Sequence, residues 1–305
     1  MKKILVIGGT GFLGHHICKK LSKKKNYQVH SLSLNRPNDK KKLKKIKYYN
    51  QDLLKKRFHI NLKKADYDII INTSGYSGNL PVINNGKNIN TNHFSIIKNI
   101  LKNINLTKKI KLIHLASSSE YGKKQSPIKE TDKCKPNNIY GKSKLACTNY
   151  ILNFKNKNFK YVILRLFQVY GEFQKEDKLV PYVIDKCQKD LKFNVSSGNQ
   201  IRDFLYVGDL VEAIDKAIFT KKAENKLINL GSGNPIAVKN IIKIILSIIK
   251  KGKPNFGALK INPGETLKTY PNIQKSKLYL NWKSKVPFKN GIIRIIKHNY
   301  QKNIK

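Results

Sequence analysis

Cysteine, arginine and acidic residues are all scarce in this chain of 305 residues. Its four cysteines (Cys18, Cys134, Cys147, Cys187) lie far apart, with no CxxC pair. That spacing argues against a disulfide scaffold or a thiolate metal cluster, and reduced thiols in a cytoplasmic protein are expected. The seven histidines show no zinc-like spacing, so no metal site is expected. No run of 18 apolar residues occurs, so no transmembrane helix is expected. The opening Met1-Lys2-Lys3 leads into only four apolar residues before Gly8-Gly9, which reads as a strand and not as a signal peptide.

Acid is short enough to leave a large imbalance: 18 Asp+Glu against 62 Lys+Arg, a formal charge of +44. A balance of this kind ordinarily suggests nucleic acid or an anionic membrane. The shortage of arginine weakens that reading. Only Arg36, Arg57, Arg165, Arg202 and Arg294 carry the planar fork that nucleic-acid readers favour. The lysines are spread along the whole chain, and Asn and Ile are also abundant. All three residues share AT-rich codons, a sufficient cause for the charge. Neither nucleic-acid binding nor membrane insertion is expected.

What the chain does have is a core and a rhythm. Hydrophobic residues make up 40%, which excludes wholesale disorder. Short runs rich in Ile, Leu and Val predict strands at Lys3–Gly8, Gln28–Ser33, Ile46–Tyr49, Asp68–Thr73, Lys111–Ser117, Tyr161–Leu166 and Lys226–Leu230. Segments long enough for crossover helices, Gly11–Lys24, Asn88–Asn103 and Ile139–Phe154, lie between them. Alternation of this kind predicts a doubly wound parallel α/β sheet of Rossmann type. After Gly171 the rhythm breaks into a Pro/Gly-punctuated tail with a helix expected at Val238–Ile249. The expected division is a dinucleotide-binding domain over residues 1–171, rejoined by residues 201–234. A smaller C-terminal substrate lobe is expected from residues 172–200 and 235–305.

The first strand ends in Gly8-Gly9-Thr10-Gly11-Phe12-Leu13-Gly14. Glycines at 8, 11 and 14 allow a sharp turn, a close backbone approach to a pyrophosphate and tight helix–strand packing. The helix that follows directs its N-terminus at the anion, so Thr10, Phe12 and Leu13 join the three glycines as candidate cofactor contacts. The end of the second strand carries Ser33 and no acid to bind a ribose 2′-hydroxyl. Arg36, close by, suits a 2′-phosphate. NADP(H) is therefore favoured over NAD(H), and Asp52, after the third strand, is placed to meet the adenine.

The fifth strand runs into Ser117, and Tyr140 and Lys144 follow at a spacing of i, i+4 on one helical face. An ammonium beside a phenol favours the phenolate, which suits a tyrosine that passes a proton to or from a sugar hydroxyl. The same lysine can hold the nicotinamide ribose, and the serine can steady a carbonyl oxygen. A Tyr-x-x-x-Lys spacing alone is common in a lysine-rich chain. It gains weight from the glycine turn upstream.

Together with Leu164-Arg165-Leu166-Phe167-Gln168-Val169-Tyr170-Gly171, Gln200-Ile201-Arg202-Asp203-Phe204 and Asn229-Leu230-Gly231-Ser232-Gly233, these motifs resemble the extended short-chain dehydrogenase/reductases, in the nucleotide-sugar epimerase/dehydratase branch. The resemblance spans nearly the whole chain. It implies Tyr140 as the acid–base group, Lys144 as its partner and Ser117 at the substrate oxygen. It implies Arg202 on the substrate diphosphate, Glu265 at the nucleotide ribose, Ser118 and Gln168 near the substrate, and a structural Asn90. The implied partner is a nucleotide-diphosphate sugar, with a homodimer as a further implication.

Several positions depart from the family pattern. Ser118 and Ser119 replace the Asp-Glu pair of the 4,6-dehydratases, which disfavours dehydration. Gln168 replaces an Asn, Glu172 a Pro, Gly208 an Asp, and Asn262 stands where a second diphosphate arginine is expected. A 4-ketoreductase and a 4-epimerase remain. The missing acid after strand two and the tail around Phe256-Gly257-Ala258 and Pro263-Gly264-Glu265 favour the reductase. The contrasting possibilities are a non-catalytic Rossmann binding module and peripheral attachment to a membrane through the basic surface.

Overall fold

The structure is a computed structural model, and it describes residues 1–55, 62–75, 87–261 and 265–303. The segment at residues 75–86, a loop expected from the sequence to help set which sugar is taken, falls almost wholly outside that set. So do Asn262, Pro263 and Gly264, and the side chain of Asn90.

The first half of the chain alternates strand and helix, except that β2 leads to β3 through only a 3-10 turn over Asp39–Lys41. Strand β1 (Lys2–Ile7) leads to α1 (Phe12–Leu21), β2 (Tyr27–Ser33), β3 (Lys47–Asn50), the short α2 (Leu62–Ala65) and β4 (Ile69–Asn72). Then come α3 (Lys87–Asn103), β5 (Ile110–Ser117), α4 (Ile139–Asn153) and β6 (Phe159–Leu166). After β7 (Gln168–Tyr170), α5 (Leu179–Gln188) and β8 (Lys192–Val195), the chain returns through β9 (Ile201–Tyr206), α6 (Val207–Phe219) and β10 (Lys226–Leu230). The remainder is β11 (Pro235–Ala237), α7 (Val238–Ile249), β12 (Lys253–Phe256), β13 (Lys268–Thr269), α8 (Gln274–Leu280) and α9 (Phe288–Asn303).

Seven strands form one sheet in the order β10-β6-β5-β4-β1-β2-β3, every pair parallel. All seven were predicted, with ends that differ by at most two residues. Alternation along the strands sorts the core into two layers. Ile4, Val6, Ile113, Leu115 and Leu164 pack with Ile17, Leu21, Leu210 and Ile214 on the α1/α6 face. Leu5, Ile7, Ile70, Leu112 and Ile163 pack with Ile97, Ile100, Cys147 and Ile151 on the α3/α4 face. Burial on both faces explains why these strands read as unbroken apolar runs.

The strand order reverses between β1 and β4, and open parallel sheets bind ligands at such a switch point. A third core joins α5, α7 and α9 to β7 and β9, with Val183, Ile184, Ile241, Ile245 and Ile292 at its centre. The small strands β7, β9, β11 and β13 form their own sheet, and β8 pairs with β12. None of these short strands was predicted except as motif. At two to six residues they show too little alternation to stand out.

Candidate active site

At the switch point, the glycine turn fits a dinucleotide for steric reasons. Gly8 has φ +81°, and a Cβ there would lie 2.7 Å from Thr73 Oγ1 at the end of β4. A Cβ on Gly14 would come within 2.1 Å of the Gly8 carbonyl, so this residue lets α1 press onto the turn. Gly11 is the N-cap of α1, and its first turn holds no acid. A Cβ on Gly11 would meet only the Gly8 carbonyl, at 3.2 Å, so its outer side is open to a phosphate. The Thr10 amide donates to Ser33 Oγ at 3.2 Å, and its hydroxyl donates to the Asn35 carbonyl at 3.3 Å. These bonds tie the turn to the end of β2. Phe12 and Leu13 open α1 directly after it.

At the adenosine end, Arg36 is exposed and makes no salt bridge among the described residues. Asp52 is half-buried, and its Oδ1 accepts the Leu54 amide at 2.9 Å, which leaves the second oxygen for a ligand. Both side chains flank the strand ends next to the glycine turn.

The reacting end is built on β5 and α4. Ser117 caps a 3-10 turn over Ser118–Glu120: its Oγ accepts the Ser119 amide at 3.2 Å, and its own amide donates to Glu120 Oε1 at 3.0 Å. Accepting this bond leaves the Ser117 hydroxyl proton available to donate. Asn138 caps α4 by accepting the Gly141 amide at 2.7 Å. Gly141 itself is a close-approach residue, because a Cβ there would lie 2.3 Å from the Ser119 carbonyl. It lets the first turn of α4, with Tyr140 on it, press against the turn that Ser117 begins. Lys144 is 6% exposed, and its Nζ donates to the Leu115 carbonyl at 2.8 Å, pinning the ammonium to β5.

Two histidines that sequence reasoning passed over sit behind this pair. His93 contacts Tyr140 and Ser143. Burial, and then the Lys144 ammonium, push it down to about 4. His114 is fully enclosed. Its Nδ1 is 3.1 Å from Asn72 Nδ2, and burial followed by Lys144 and His93 holds it well below the usual imidazole range. Both rings are neutral near pH 7, so neither histidine adds a charge beside Lys144.

The motif residues Glu120 and Arg165 form a sealed pair, 0% and 2% exposed. Arg165 Nη2 and Nε donate to Glu120 Oε2 at 2.7 and 3.1 Å, Thr148 donates to the same oxygen, and the guanidinium lies 4.3 Å from the Tyr121 ring centre. Glu120 thereby ties β5, β6 and α4 together below the reacting end. The Ser117-x-x-Glu120 spacing signals only the capping contact, and the partners that make Glu120 a hub, Thr148 and Arg165, are 28 and 45 residues away.

On the substrate side, Arg202 and Glu265 meet: Nη2 donates to Glu265 Oε1 at 2.5 Å, and Nη1 donates to the carbonyls of Ile201 and Leu267. Asp203, beside Arg202, is buried and receives the Ser232 and Gly233 amides at 2.5 and 2.7 Å. Burial raises its carboxyl, and these amides pull the other way. Asp203 thus folds the Gly231-Ser232-Gly233 turn onto β9 and fixes where Arg202 starts. Gln168 opens β7 as an exposed residue, and Ser118 is half-buried within the 3-10 turn. Among the described residues, no hydrogen bond or ring contact joins either to Tyr140.

Two departures from the family pattern come together elsewhere. Glu172 Oε1 accepts the Tyr206 hydroxyl at 2.7 Å. A Cβ on Gly208 would lie 2.6 Å from the Tyr206 ring. The glycine makes room for the ring that reaches Glu172.

The parallel sheet, its strand order and the glycine turn define a Rossmann-type α/β protein, with a Tyr/Lys helix beside the switch point. The model of the NAD-dependent epimerase/dehydratase family matches residues 4–231, and the chain belongs to that family. It is 30% identical to a putative UDP-glucose 4-epimerase of Methanocaldococcus jannaschii, over 98% of both chains. The structure of UDP-glucuronic acid 4-epimerase from Bacillus cereus, in complex with UDP-glucuronic acid and NAD, superposes with a TM-score of 0.87 at 27% identity, covering 99% of this chain and 100% of that one. An Escherichia coli dTDP-4-dehydro-6-deoxyglucose reductase is 29% identical, over 58% of this chain and 57% of its own. Among the described residues, no helix is long and apolar enough to cross a membrane.

Proposed function

We propose that the chain is a nucleotide-sugar 4-epimerase acting on a UDP-hexose or UDP-hexuronic acid with NAD(H). One observation carries this reading over the reductase favoured by the sequence. The likeness to 4-epimerases runs the full length of the chain, while the reductase relative matches little more than half of it. NAD(H) takes precedence over NADP(H) because the B. cereus enzyme holds NAD. The exposed Arg36 and the missing acid after β2 keep NADP(H) as the alternative.

The open side of Gly11 and the N-terminus of α1 suit a pyrophosphate, with Gly8, Thr10, Phe12, Leu13 and Gly14 around it and Asp52 toward the adenine. Bound there, the nicotinamide supplies reversible hydride exchange at C4 of the sugar. Tyr140 takes the C4 hydroxyl proton on its phenol oxygen in one half-reaction and returns it in the other. Lys144, fixed to Leu115, keeps a positive charge beside that oxygen while it is ionised. Ser117 donates its hydroxyl proton to the same sugar oxygen. Ser118 and Ser119 supply neither acid nor base for expelling water, so the sugar keeps its hydroxyls. Arg202 and Glu265 receive the diphosphate and ribose. The lobe of residues 172–200 and 235–305 encloses them.

The test needs no added cofactor. One portion of the purified protein is denatured to identify released nicotinamide; a second, native portion is incubated with UDP-glucose and UDP-glucuronic acid and followed by NMR. Formation of the C4 epimer without net cofactor consumption is expected, and Tyr140→Phe should slow it by at least about 10²-fold. Stoichiometric NADPH consumption on a 4-keto sugar, with no epimer formed, would restore the reductase.

A further inference from the structure

We propose that His93 is a positioning residue for Tyr140, clamping both its ring and its backbone. The proposal rests on Tyr140 as the acid–base group. His93 is 5% exposed on α3, and its ring stands edge-on to the Tyr140 ring, with centroids 5.9 Å apart and planes at 79°. That is the favoured geometry for an aromatic pair and resists rotation of the phenol. The second hold runs through Ser143. Its hydroxyl donates to the Tyr140 carbonyl at 2.9 Å, and its Oγ lies 2.7 Å from His93 Nδ1. A serine has one hydroxyl proton. With that proton on the Tyr140 carbonyl, His93 Nδ1 must carry the hydrogen and donate to Ser143. Read with that donor, the His93–Ser143 contact has Nδ1–H donating to Ser143 Oγ, and Nε2 lies toward Gly75, where a Cβ would lie 3.2 Å away.

The clamp is not a proton carrier. Buried beside Lys144, His93 stays neutral down to about pH 4, so it neither takes the Tyr140 proton nor adds a second charge beside the ammonium. The job needs a ring edge and a fixed N–H in one side chain. Phenylalanine supplies only the edge, and asparagine only the N–H. Each substitution therefore removes one hold.

The experiment combines turnover with a signal that needs no substrate. His93→Ala is expected to lower kcat about tenfold with KM for the UDP-sugar changed less than about twofold, as misorientation of a reacting group does. His93→Phe and His93→Asn should each recover part of the loss. In protein carrying 13Cζ-tyrosine, the resonance that disappears in Tyr140→Phe identifies Tyr140. It should shift, and its titration midpoint should move, in His93→Ala. An unmoved resonance and midpoint in a folded His93→Ala protein overturns the clamp. So does a kcat that falls only in step with melting temperature across all three variants. If the wild type turns over no sugar, the epimerase reading fails, and the tyrosine resonance still decides the clamp.

Discussion

Two arginine–carboxylate pairs lie in this molecule at nearly the same distance, 2.7 Å for Arg165–Glu120 and 2.5 Å for Arg202–Glu265. Their surroundings differ. The first is closed off at 2% and 0% exposure, while in the second Glu265 is 37% exposed. Burial opposes the Arg165 charge, and the summed pull of Glu120, Tyr121 and Cys134 outweighs it, so the guanidinium is held more firmly protonated than usual. Water has no access to that pair, and neither has a ligand. Arg202 keeps one face toward a carboxylate that solvent can reach, and a phosphate can compete for it. In a chain with only five arginines, one holds the frame together, and Arg202 is the one we propose for the substrate diphosphate.

Breaking the sealed pair gives the largest effect. Arg165→Met leaves Glu120 buried without its cation, and should cost about 3–5 kcal/mol in urea unfolding. A loss below about 1 kcal/mol would mean that Glu120 reaches water. Arg202→Met should leave stability within about 1 kcal/mol. It should weaken the UDP-sugar KM by the worth of a charged hydrogen bond, about 1.5–3 kcal/mol, or roughly 10- to 100-fold. An unchanged KM would remove Arg202 from the diphosphate site.

Acid should separate the frame from its surroundings. His93 is lowered from 6.5 to about 4, so the unfolded chain binds the extra proton between those values and stability falls as pH drops through that window. The slope from His93 alone reaches about 1.4 kcal/mol per pH unit. His15 and His30, both lowered to about 4 chiefly by burial, act in the same window. Urea midpoints measured at pH 7, 6 and 5 should fall more gently for His93→Asn than for the wild type, and parallel curves would contradict the assignment. The smallest effect belongs to Glu265→Gln, at most about 1 kcal/mol of stability, reduced further by salt.

What could be read in advance follows the same division between local and distant. The strands were legible because burial on both faces leaves continuous runs of Ile, Leu and Val. The glycine turn and the Tyr140/Lys144 spacing were legible because each acts within one turn of chain. Glu120 and Asp203 were not, since their partners come from strands and loops far along the sequence. His93 escaped notice for the same reason, meeting Ser143 across 50 residues. Ser117, Tyr140 and Lys144 serve both reactions, so these residues do not choose between epimerase and reductase. What favours the epimerase is full-length likeness to 4-epimerases, not any one of these side chains.

The return of β10 to the edge of β6 bears on how the chain is made. Its hydrogen-bonding partner on β6 is synthesised about 60 residues earlier, and at translation rates of roughly 5–20 residues per second that is about 3–12 s of waiting. During that interval β6 has an open edge, and the pocket that Ile228 and Leu230 later fill is bare. A nascent chain stalled before residue 226 should therefore be the form most dependent on chaperones.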